Sequence, residues 1–231
     1  MQIAGMEVEL VRKDIKNLHL AVYPPDGRVR LAAPLEVNPS TLELFVISKL
    51  PWIRKQQRRF KQQNRQSPRQ YLDRESHYFL GRRYLLRIHD INEDHRQPIV
   101  VIRNKTYIEM YLRPDSSLDK KDSLMKAFYR AELRKVLEEL VPKWEKILGV
   151  QSNEVFIKTM RTKWGSCQPE TGNILINLEM AKKPAECIEY VVAHELTHLI
   201  ERTHNDIFQS HLNHYLPNWK SLREELNGMV V

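Results

Sequence analysis

The residues of this chain best suited to chemistry are His194-Glu195-Leu196-Thr197-His198. Two histidines four apart on a helix lie about 40° apart in azimuth and roughly 6 Å apart along the axis. Both imidazoles can then reach one ion at about 2.0–2.1 Å each. Glu195 points about 100° away from its neighbour, off the ion but within reach of water upon it, where a general base belongs. A catalytic zinc takes three protein ligands and keeps a fourth position open. His204, six residues beyond His198, is the candidate third ligand. On a straight helix it would stand about 120° off the shared face, so the chain must turn after about Glu201. Thr203 and Asn205 are the candidate turn residues. Five of the nine histidines lie after residue 193, among them His211 and His214. With Asp206 these leave a second reading open, a closed structural site with a fourth protein ligand.

The element that must carry this site is an apolar-rich helix from Pro184 to about Glu201, with Ile188, Val191, Val192, Leu196 and Leu199 on its buried faces. Pro184 suits its first position and Glu186 its first turn. Upstream, Val155–Met160 and Asn173–Leu178 read as strands around Gln168-Pro169-Glu170-Thr171-Gly172, and Asn173–Leu178 is a candidate edge for an extended peptide. From about residue 120, Leu124, Phe128, Leu133, Leu137, Leu140, Val141, Trp144 and Leu148 trace a long amphipathic helix. Ser123 is its candidate cap, Gly149 its end, and Pro142 a candidate bend.

The first half reads as strands with one helix. Met6–Arg12, Asn17–Tyr23 and Arg28–Ala33 alternate around the Pro24-Pro25-Asp26-Gly27 turn. Ser40 with Glu43 is a capping-box pattern, and Leu42, Phe45, Val46, Lys49 and Ile53 form a helical stripe that Pro51 must kink or break. Residues 64–70 read as a linker. His77–Leu80 with Tyr84–Ile88, and Ile99–Arg103 with Tyr107–Leu112, read as two hairpins.

Composition sets the outer limits. No stretch approaches the roughly 18 apolar residues of a membrane span, and the start of the chain carries no secretory pattern. Two cysteines, Cys167 and Cys187, make no disulfide framework, which implies a reducing, cytoplasmic setting. Of the net charge of +8, most arises in residues 1–70, where thirteen Lys/Arg face six Asp/Glu. Arg54, Lys55, Arg58, Arg59 and Lys61 form a basic helical run that either tracks phosphates or is a solvated face.

The HExxH-x5-H spacing matches that of metzincin peptidases, but Glu201 stands where those proteins place a glycine for the turn. A fuller resemblance exists. Arg161-Thr162-Lys163-Trp164-Gly165-Ser166-Cys167, Ile176-Asn177-Leu178, Tyr190 through Leu199 and His204-Asn205-Asp206-Ile207-Phe208 resemble the YgjP-like metallopeptidases, relatives of the SprT/WSS-type zinc peptidases. The Pro24–Ala33 hairpin, Ala33-Pro34, Lys49 through Trp52-Ile53 and Gly81-Arg82-Arg83-Tyr84 resemble the same family, so the match covers nearly the whole chain. It implies His194, His198 and His204 as ligands of one zinc ion and Glu195 as catalytic acid/base. Two departures are Lys163, where the family usually has Arg, and Gln209, where it often has Trp.

The expectation is an α+β protein. An N-terminal β-rich region with one helix occupies 1–115, and a zincin-like metallopeptidase domain with a short sheet and an active-site helix occupies 116–231. Peptide-bond hydrolysis is the leading function, with peptide or protein as substrate. Lys163, Trp164, Asn177 and Tyr215 are candidate substrate contacts. Trp164 and Tyr190 also read as packing residues, Cys167 as a small buried residue, and Tyr215 as a candidate oxyanion donor. Competing readings are a nucleic-acid-associated protein docking through its basic N-terminal region, and a zinc-stabilised scaffold without catalysis.

Overall fold

Alternating apolar residues near the N-terminus form the strands that the pattern predicts. The computed structural model describes residues 1–23, 26–62, 69–91 and 97–228, with side chains described up to Arg58 in the second helix. The expected Pro24-Pro25 part of the first turn, and most of the 64–70 linker, lie outside the described residues. The chain divides into two compact units, Met1–Arg65 and Gln66–Met229.

In the first unit β1 (Gln2–Ile3), β2 (Met6–Lys13), β3 (His19–Tyr23) and β4 (Arg28–Pro34) form a sheet of order β1-β2-β4-β3. β2 and β4 are parallel, and β3 is antiparallel to β4. Helix α1 (Pro39–Ser48) starts earlier than the Ser40–Glu43 pattern suggests. Its cap is Asn38, whose side chain accepts from the Ser40 N–H, and Pro39 fills the first turn, where its missing N–H costs nothing. Pro51 breaks the stripe into two helices, and α2 (Leu50–Gln62) follows after Lys49. The unit therefore has two helices where one was expected. Val8, Val29, Leu31, Leu42, Val46 and Ile53 make its core.

The second unit holds both predicted hairpins. β5 (Ser76–Phe79) pairs with β6 (Arg82–Asp90), and β7 (Ile99–Ile102) with β8 (Tyr107–Leu112). Parallel pairing of β6 with β8 joins them in one sheet of order β5-β6-β8-β7. Its inner face, Leu86, Ile108 and Met110, is buried in the same core as the helices that follow. The hairpins thus belong with the C-terminal helices, and the break falls at 65/66, not near 115. Helix α3 (Leu118–Leu148) begins at Ser117, whose hydroxyl accepts from the Lys120 N–H, two turns before Ser123. It runs through Pro142 and ends at Gly149 in the left-handed conformation, φ 67°.

The second sheet of this unit has β9 (Val155–Lys158), β10 (Gly165–Gln168) and β11 (Asn173–Asn177) in the order β10-β11-β9. The Gln168–Gly172 turn joins β10 to β11, while β9 pairs with β11 in parallel. β11 is central, so it cannot offer an edge to a peptide; β10 can. A short 3₁₀ helix (Leu178–Lys182) leads to α4 (Ala185–Thr197), then α5 (Asp206–Tyr215) and α6 (Trp219–Gly228). The β5–β6 turn packs where α4 begins. Leu80 and Gly81 N–H groups donate to Ala181 and Lys182 carbonyls, and a Cβ on Gly81 would come within 2.9 Å of Pro184.

His77 on β5 is 2% exposed and its ring stacks on Tyr71 at 5.6 Å. Burial, with help from Arg69, pushes its pKa down to about 4, although Glu75 opposes this. The unfolded chain therefore takes up the proton first. The stability that neutral His77 contributes is intact above about pH 6.5 and drains away as pH falls towards 4. Urea unfolding should show wild type losing about 2–3 kcal/mol more than His77→Gln between pH 7 and 4.5. Equal losses in both would mean that His77 is solvated.

Candidate metal centre

α4 is fixed on several sides before it presents any candidate ligand. Ile188, Val191, Val192 and Leu196 are buried, and Glu189 accepts from Trp144 Nε1 at 2.9 Å and from Lys143 Nζ, both on α3. Against that anchorage His194 and His198 share one stripe. The helix ends at Thr197, sooner than Glu201. Thr197 Oγ1 donates to the Ala193 carbonyl, and Leu199, Ile200 and Glu201 N–H groups fold back onto Leu196 and Thr197 carbonyls. Glu201 then makes the turn for which metzincins use glycine. Its carboxylate accepts from both Thr203 N–H and Thr203 Oγ1 at 2.9 Å. Asn205 caps α5 through the Phe208 N–H, which leaves His204 just before the helix and facing back to α4. Gln209 donates to the His204 carbonyl at 3.3 Å, so the departure at this position braces the third histidine.

The three rings form a near-equilateral set, with centroids 5.0, 4.9 and 4.8 Å apart. Phe208, 1% exposed, is the floor beneath them, 4.7–4.9 Å from each. Nε2 of His194 and Nε2 of His204 approach to 3.0 Å. Two donors on one tetrahedral ion at about 2.1 Å stand roughly 3.4 Å apart, so this spacing suits a shared ion. Two of the far nitrogens are occupied: Nδ1 of His198 lies 3.0 Å from the Glu201 carbonyl and Nδ1 of His194 3.5 Å from the Tyr190 hydroxyl. An Nδ1–H donated outward leaves the Nε2 lone pair for a metal. Burial, then the neighbouring His198, His204 and Arg223, push the His194 pKa down to about 3, and burial lowers that of His204 as well. Neutral imidazole is the ligating form. Among the described residues the cluster able to hold a metal is His194, His198 and His204, with ligand atoms within 4.8 Å of one another. His211, His214 and Asp206 do not join it.

Glu195 is 6% exposed and faces β10. Its carboxylate accepts the Cys167 N–H, and Lys163 is close enough for its charge to act there. Burial outweighs both and raises the Glu195 pKa to about 7. Cys167 itself is pushed up to about 11 by burial and by Glu195, which makes it a poor nucleophile or ligand.

The remaining sequence candidates divide. Lys163 is exposed beside Glu195. Trp164 packs against the core with the Lys183 ammonium 5.0 Å from its ring centre. Asn177 is fully buried with its amide fully engaged: Nδ2 donates to Met160 and Lys163 carbonyls, and Oδ1 accepts from Met160 and Glu179 N–H groups. It shapes the loop that presents Lys163 and has no valence left for substrate. Tyr215 sits at the far end of α5 with His211 and His214, and the structure does not bring it to the triad. On α2 of the first unit Arg54, Lys55 and Arg58 are exposed; the side chains of Arg59 and Lys61 lie outside the described residues. Tyr190, Glu201 and Phe208, named in the sequence without these contacts, and Arg223, not named there at all, are beside the triad because only the fold brings them to it.

Both cysteines are free thiols. Among the described residues, no helix is long and apolar enough to cross a membrane. No curated protein matches this chain. Two crystal structures of metallopeptidase zymogens are similar to part of it. Abylysin of Pyrococcus abyssi is 23% identical over 39% of this chain and 90% of its own, with a TM-score of 0.37. Jannalysin of Methanocaldococcus jannaschii is 21% identical over 39% and 86%, with a TM-score of 0.36. The model of the YgjP-like metallopeptidase domain matches residues 16–229, and the chain belongs to that family.

Proposed function

We propose that this chain is a zinc-dependent peptidase in which His194, His198 and His204 hold one zinc ion and Glu195 is the general base. The observation that carries this is the convergence of three imidazoles, two of them with their outward nitrogens held, beside a buried carboxylate that is not one of the cluster. When bound, the ion would acidify water and polarise a scissile carbonyl. The protein's own part is positional and protonic. Glu201 O and Tyr190 OH hold the rings in register, and Phe208 excludes water from beneath them. Glu195, made more basic by burial, takes a proton from water and returns it to the leaving nitrogen. The outer edge of β10, whose Cys167 N–H reaches Glu195, is the strand with which an extended peptide would pair.

The test is metal removal and return. Chelated protein should leave a mixture of denatured-protein peptides intact, and about one equivalent of zinc should restore cleavage, counted as new amino termini by mass spectrometry. His204→Ala should lose both tight zinc and cleavage. Cleavage that survives chelation would overturn the proposal. So would a fourth protein ligand in the loaded chain's coordination shell, which would make this a structural site.

A further inference from the structure

One cation near the triad neither holds the rings nor moves the proton. Arg223 lies on α6, four residues after Trp219 and so on the same face one turn further along. Trp219 is firmly placed. Its indole stacks on Tyr190 at 6.5 Å and 17°, and its Nε1 donates to Asn213 on α5 at 2.8 Å. Tyr190 in turn meets His194 edge-on, 5.7 Å between centroids. The chain of contacts Trp219–Tyr190–His194 thus sets that face of α6 towards the triad, while Leu222 and Leu226 bury the neighbouring face. Arg223 is exposed, and its charge acts on Tyr190, His194 and His204 together. Among the described residues it forms no ion pair with any carboxylate. Lys163 stands by Glu195, so the two cations act on different members of the site.

An unpaired guanidinium beside three neutral imidazoles adds to the positive potential of whatever ion they hold, and it offers a planar fork of donors to oxygen. We infer that Arg223 is an anion-binding residue of this site, receiving a negatively charged oxygen presented at the metal's open side. Two sources share that chemistry. One is the tetrahedral oxyanion formed during amide hydrolysis; the other is a carboxylate carried by the substrate. This inference rests on the triad holding a metal.

Cobalt(II) loaded into the zinc-free chain reports both levels at once, because its visible absorption shows the ion in place before any anion is added. Titrating this protein with methylphosphonate, acetate and the uncharged ligand imidazole gives an affinity for each. Arg223→Ala should weaken at least one of the two anions by about tenfold and leave imidazole within about twofold, with Arg223→Lys in between. Loss confined to methylphosphonate assigns Arg223 to the oxyanion, and loss confined to acetate assigns it to a substrate carboxylate. Loss of both makes it a general anion site. Unchanged affinity for both anions, or an equal loss for imidazole, overturns the inference while the metal site stands. Failure of wild type to give the cobalt spectrum overturns the metal site, and the inference with it.

Discussion

Replacing Glu195 by Gln is expected to lower turnover about 10³-fold while fold and metal content stay as they are. The side chain is 6% exposed and wedged between α4 and β10, so an isosteric amide keeps the packing. What changes is proton affinity. Among the described residues the carboxylate is the one buried acid beside the triad, and burial raises its pKa to about 7. An amide has no comparable basicity and cannot carry a proton from water to the leaving nitrogen. Because Glu195 does not belong to the three-histidine cluster, zinc affinity should change by less than about threefold. Steady-state cleavage beside metal analysis and thermal melting separates these effects. A variant within about threefold of wild-type turnover would remove Glu195 from the mechanism. A variant that also loses its metal would show that the carboxylate helps hold the ion.

How far the site can be read from the chain depends on the range over which its geometry is set. His194 and His198 are legible because four residues on a helix fix their relation locally. His204 is legible as a candidate ligand, and the need for a turn follows from its azimuth, but the turn itself is not. Nothing in the order of residues says that the Glu201 side chain binds Thr203 while its carbonyl holds His198. Asn177 shows the opposite failure. Beside Ile176 and Leu178 a polar side chain looks available to substrate, whereas β11 is central and the amide ties down the 160–163 loop. The hairpins at 76–112 are read correctly from alternation, yet their assignment to a separate N-terminal region fails. Alternation reveals that Leu86, Ile108 and Met110 share a buried face but is silent on its partner, which is the core around α3 and α4.

Gly165→Ala should disable the same base from the other side. Gly165 sits in strand β10, paired with Ile176, and needs no unusual backbone conformation. Its reason is clearance. A Cβ there would lie 2.6 Å from Glu195 Oε1, 2.7 Å from its Cγ and 2.9 Å from its Cδ, closer than non-bonded atoms approach. The strand is held by β11, so the movable partner is the Glu195 side chain. The expected outcome is a stability loss of about 1–3 kcal/mol from overpacking, together with roughly 10²-fold lower turnover as the carboxylate is displaced by about 1 Å. Zinc content should not change. The cause can be isolated by a double-mutant cycle read as stability of the metal-free chain, which needs no substrate. In a Glu195→Ala background the atoms in the way are gone, and the cost of Gly165→Ala should shrink to about 0.5 kcal/mol or less. An equal cost in both backgrounds would place the strain in β10 itself, and Gly165 would then be a strand residue with no bearing on the base.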